Sequence, residues 1–91
     1  MRSLKAIMDD EHYAWRELCS IDDDLLSYEM HIADINKIPF NCPAKERDIE
    51  EYRRMLNDSL NKREAAVENL NRRRDELRKY FNELMNLNVA V

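Results

Sequence analysis

From Leu4 onward the hydrophobic residues recur at alternating spacings of three and four: Leu4, Ile7, then Ala14, Leu18, Ile21, Leu25, Tyr28, Ile32 and Ile35. That period lines one stripe of an α-helix and suits packing against a second helix. With Leu4 as heptad position a, the a positions are Leu4, Glu11, Leu18, Leu25 and Ile32, and the d positions are Ile7, Ala14, Ile21, Tyr28 and Ile35. A second register starts at Ile49, with a at Ile49, Leu56, Arg63, Leu70, Leu77 and Leu84 and d at Tyr52, Ser59, Ala66, Arg73, Tyr80 and Leu87. Between the two lies the run Ile38-Pro39-Phe40-Asn41-Cys42-Pro43. Pro39 drives Ile38 out of the helical region, while Pro43 suits the first turn of a new helix.

The pattern predicts a helix over 3–37, a loop over 38–43 and a helix over 44–88, together one helical-hairpin domain spanning 1–91. At about 1.5 Å per residue the helices are about 52 Å and about 67 Å long. Ser20-Ile21-Asp22-Asp23 has the form of a capping box and offers a second helix start. The heptad phase crosses it without a slip, so the first helix is expected to continue.

A short connection makes the helices antiparallel, each a residue sharing a layer with a d residue opposite. If facing residue numbers sum to 84, the layers include Ile32 with Tyr52, Leu25 with Ser59, Leu18 with Ala66, Ala14 with Leu70 and Ile7 with Leu77. Large then faces small, and Glu11 faces Arg73. Glu29 falls near Arg53 and Asp24 near Lys62 on the edges of the seam. A slide to a sum of 77 would set Arg73 against Leu4 and Arg63 against Ala14, stranding charge. In the preferred register Arg63 lies opposite Ile21, the weak layer, from which it is expected to reach toward Asp22 or Asp24. A Glu11–Arg73 pair inside the seam would fix register at some cost in stability.

Filling the seam leaves Met8, Trp15, Leu60, Val67 and Phe81, all at position e, as one apolar flank. Beyond the start of the first helix the second carries Phe81, Leu84, Met85, Leu87, Val89 and Val91, with nothing in the same chain expected to cover them. A two-helix hairpin has one seam and no second layer, so these residues are the natural place for further core. The fold expected is all-α: an antiparallel coiled-coil hairpin, completed to a four-helix bundle by dimerisation or by a partner protein.

Composition narrows the function. The 91 residues contain no glycine, which excludes Gly-rich phosphate loops, dinucleotide fingerprints and nucleophile elbows. Charged residues make up 37% and hydrophobic ones 44%, too apolar for a disordered chain. No run approaches a membrane span, and the N-terminal stretch turns acidic before a signal-peptide core forms, so a cytoplasmic or nuclear protein is expected. The lone thiols Cys19 and Cys42, too far apart to bridge, fit a reducing compartment.

Fifteen basic against nineteen acidic residues give a net charge of −4, unfavourable for nucleic acid as a whole. Residues 1–38 hold four basic and nine acidic groups, and residues 39–91 hold eleven and ten. The basic cluster of Arg72, Arg74, Arg78 and Lys79 is the one candidate phosphate contact, but Arg73 turns inward and Glu68, Asp75 and Glu76 interleave.

Asp9-Asp10-Glu11 and Asp22-Asp23-Asp24 lack the alternation and glycine turn of a calcium loop. Neither His12 nor His31 follows a Glu at the spacing of a di-iron helix, and neither cysteine has a histidine within a helical step. Asn57-Asp58-Ser59 matches a glycosylation acceptor only by chance, in mid-helix. The residues thus point away from an enzyme, a metal or a cofactor. They point to a protein-binding adaptor, inhibitor or assembly factor that binds itself or another protein through Met8, Trp15, Leu60, Val67, Phe81, Leu84, Met85 and Leu87. The alternative is a nucleic-acid-associated regulator using the basic cluster.

Overall fold

The computed structural model describes the backbone of residues 2–89 and the side chains of residues 2–86. It holds two helices, α1 (Leu4–Asn36) and α2 (Pro43–Val89), and no strand among the described residues. The chain is therefore a helical hairpin, its helix ends within one residue of those the sequence predicts. α1 runs without interruption through Ser20–Asp23, as heptad continuity requires.

Local chemistry sets the boundaries. Ser3 caps α1: its hydroxyl accepts the Ala6 N–H at 3.2 Å and its carbonyl the Ile7 N–H at 3.1 Å. Cys42 caps α2 in the same way, its sulfur accepting the Lys45 N–H at 3.4 Å and its carbonyl the Glu46 N–H at 3.2 Å. Pro43 then takes the first helical position, where its missing N–H costs nothing. At the end of α1 the Lys37 and Ile38 N–H groups close tighter three-residue turns onto Asp34 and Ile35. Lys45 Nζ donates to the Ile38 carbonyl at 2.8 Å and to Asn41 Oδ1 at 3.4 Å, tying the connection to α2.

Two compact units make up the chain: Met1–Leu18 with Ala65–Val91, and Cys19–Glu64. In the first, Ile7, Ala14, Ala66 and Leu70 are buried, and Leu4, Leu18, Leu77 and Tyr80 are half-buried around them. In the second, Ser59 is buried and Leu25, Tyr28, Ile32, Ile35, Ile49, Tyr52 and Leu56 are half-buried. Every a and d position from Leu4 to Ile35 and from Ile49 to Tyr80 is thus buried or half-buried, with Arg63 the exception.

Contacts across the seam fix its register. Asp10 meets Arg73 and Glu11 meets Arg74 in the first unit; Asp22 meets Arg63 and His31 stacks on Tyr52 in the second. These pairs sum to 83 or 85 and bracket the expected 84, which rules out the slide to 77. Tyr28 and Tyr52, from successive layers, have ring centroids 6.3 Å apart.

Of four polar expectations one is met and three are not. Arg63 reaches Asp22 through Nε at 2.6 Å, the first of its two expected partners. Glu11 pairs with Arg74 rather than with Arg73: Arg74 Nε donates to its Oε1 at 3.2 Å. An acid and a base that both start in the seam lower their desolvation cost by leaning to its edges, and there each finds a different partner. Glu29 with Arg53 and Asp24 with Lys62 are absent from the ion pairs of the described residues. Such exposed pairs gain little Coulomb energy for the side-chain freedom they lose.

Candidate functional site

In the first unit, the e positions of α1 and α2 and the part of α2 beyond Tyr80 carry the apolar residues left over from the seam. Trp15 is 46% exposed, its ring stacked on His12 one turn earlier with centroids 6.0 Å apart. Phe81 is 45% exposed and meets Tyr80 edge-on at 6.1 Å. Each aromatic is braced by a neighbour on its own helix while much of its surface meets solvent. Met8, Leu84 and Met85 are exposed as well, Met85 at 64%, and Val67 is half-buried. Leu60 is also exposed but belongs to the second unit. Leu87 lies on α2, its side chain outside the described residues, and Val91 lies outside them altogether.

The first unit also holds a closed ring of alternating charge, with Asp10 and Glu76 at position g, across the seam from the e positions. Arg2 bonds Asp10 through one guanidinium nitrogen and Glu76 through the other at 3.1 Å, and Arg73 lies 3.7 Å from both carboxylates. The hydrogen bond from Arg2 is the main cause holding the Asp10 carboxyl below its ordinary range, with the charges of Arg2 and Arg73 adding to it. The same bond, foremost, raises the Arg2 guanidinium further still.

The basic cluster is divided among acids. Arg74 is taken by Glu11 and Arg78 by Asp75 at 3.4 Å, while Arg72 and Lys79 stand in no ion pair of the described residues. Both cysteines are free thiols. In the second unit His31 stacks on Tyr52 at 5.1 Å and its Nδ1–H donates to the Ser27 carbonyl at 2.6 Å. Among the described residues no three His, Cys, Asp or Glu side chains gather as a metal site. No helix there is long and apolar enough to cross a membrane.

Exposed hydrophobic residues occur at places that the seam-and-flank reading passed over: Tyr13, Leu26 and Met30 on α1, Phe40 in the connection and Met55 on α2. Tyr13, Leu26 and Met30 fall at heptad positions c, b and f, so counting every apolar residue off the seam, and not those at e alone, would have found them. No known protein family, curated protein or solved structure matches the chain.

Proposed function

We propose that the chain is a non-enzymatic protein-binding module, an adaptor, inhibitor or assembly factor, that docks through Met8, Trp15, Val67, Phe81, Leu84 and Met85. Docking would complete the hairpin's single seam to a four-helix bundle. One observation carries the reading: two braced aromatics stand half-exposed in a chain that buries only five side chains among its described residues. Aromatics held by neighbours lose little freedom on binding and bury a large area, the property of interface anchors.

The test is a photo-cross-linking residue, p-benzoylphenylalanine, placed at Trp15 and, as control, at the exposed outer position Asp9. Irradiation in cells should give covalent protein adducts from position 15 and few from position 9. Equal yields from the two positions, or no adduct from position 15, would overturn the proposal.

A further inference from the structure

We infer that the occupant of this face is a second copy of the same chain, packed across a two-fold axis. The inference rests on the protein-binding reading and commits it to one partner. Three observations support it, and all belong to the first unit.

The first is the distribution of charge. Within Met1–Leu18 and Ala65–Val91 there are eight Lys and Arg against eight Asp and Glu, whereas Cys19–Glu64 holds seven against eleven. All of the net charge of −4 therefore belongs to the second unit. Two copies meeting through the first unit bring together surfaces of no net charge, and low net charge favours association. A contact made through the second unit would set −4 against −4. That unit also exposes apolar side chains, Leu26, Met30 and Phe40, so charge rather than hydrophobicity selects which face can meet its own copy.

The second is area. From the exposed fractions of Met8, Trp15, Phe81, Leu84 and Met85, the face offers about 500 Å² of apolar surface. A dimer of standard size buries about 800 Å² per partner, and in homodimers about two-thirds of that is apolar. The face therefore matches what one protomer must contribute.

The third is that the charges at its edge are already neutralised. Arg74, at position e between Val67 and Phe81, is held by Glu11. Covering it with a second copy buries a formed ion pair rather than a lone charge, and an unpaired charge is the feature that most strongly opposes burial. Such a surface does not repel its own copy, as a two-fold interface requires.

Sedimentation equilibrium of the purified full chain, from about 1 µM to about 500 µM, tests the inference. The expected result is a reversible dimer whose Kd rises tenfold or more in Trp15→Asp and in Phe81→Asp and is unchanged in Phe40→Asp. Met85→Asp guards against loss of folding, because Met85 is already largely in solvent in the single chain; it too should weaken the dimer, with helicity by circular dichroism retained. A helical monomer throughout the range overturns the inference, as does a dimer broken by Phe40→Asp but not by the other variants. The cross-linking arms separate the two levels. Position-15 adducts between purified copies support the second copy. Adducts formed in cells only with other proteins remove the second copy and leave the protein-binding reading standing, and no adducts in either setting remove both.

Discussion

Asp10 shows how much one side chain can be asked to do on a short seam. It sits at a heptad edge, accepts from Arg2, faces Arg73 and shares both cations with Glu76. Its carboxyl is held below the ordinary range in the folded chain. A depressed carboxylate contributes stability that is fully present above its unfolded value, near pH 4, and is lost as pH falls through the folded value. Arg2 remains cationic throughout, so within the Arg2–Asp10 pair only the carboxyl changes charge. We therefore expect wild-type chain to melt at higher temperature than Asp10→Asn at pH 6, with the difference closing as pH falls from about 4 toward 2. Thermal melts of both chains at matched pH would show it. A gap of the same size at every pH would mean that Asp10 acts through shape and not through charge.

Elements are defined here by their ends as much as by their stripe. The stripe was legible because nearly every a and d residue is apolar or small, so burial follows from spacing alone; Arg63, the one exposed seam residue before Tyr80, is also the one the pattern marks as weak. The same layer adjoins the division between the units at Glu64 and Ala65. The caps were less legible. Ser3 is an ordinary cap, yet a periodic pattern does not say whether a serine just before it is the first helical residue or the one outside it. Cys42 is harder, because sulfur is a weak acceptor and cysteine is seldom read as a capping residue. Nor could spacing foretell that Glu11 would choose Arg74 over Arg73, since both lie within reach and solvent access decides between them. The cap has a measurable consequence. Replacing the sulfur with a carboxylate in Cys42→Asp strengthens the bond to the Lys45 N–H and adds a favourable charge at a helix N-terminus, a gain of about 0.5–1 kcal/mol. Cys42→Ala removes the acceptor and should lower stability by a few tenths to about 1 kcal/mol. Urea unfolding at fixed chain concentration reads both, and a stable Cys42→Ala with a destabilised Cys42→Asp would show that the sulfur is there for packing.

Over the whole chain, 44% hydrophobic residues are set against five buried side chains among those described, an imbalance that two helices alone do not relieve. If a second copy relieves it, folding and association are linked, and stability depends on concentration. The melting temperature should then rise with chain concentration in wild type and level off in Met85→Asp, where the monomer carries what stability remains. Salt separates the forces involved. An interface built on Trp15, Phe81, Leu84 and Met85 loses nothing to screening, and sulfate strengthens it by favouring burial. Contacts from Arg72, Arg74, Arg78 and Lys79 to a phosphate backbone would do the opposite, weakening steeply as counterions compete. The expected outcome is a dimer Kd that holds or tightens between about 0.1 M and about 0.5 M salt, followed by sedimentation. A tenfold loss over that range would place the binding energy in the charged residues beside the face and leave the aromatics as lining.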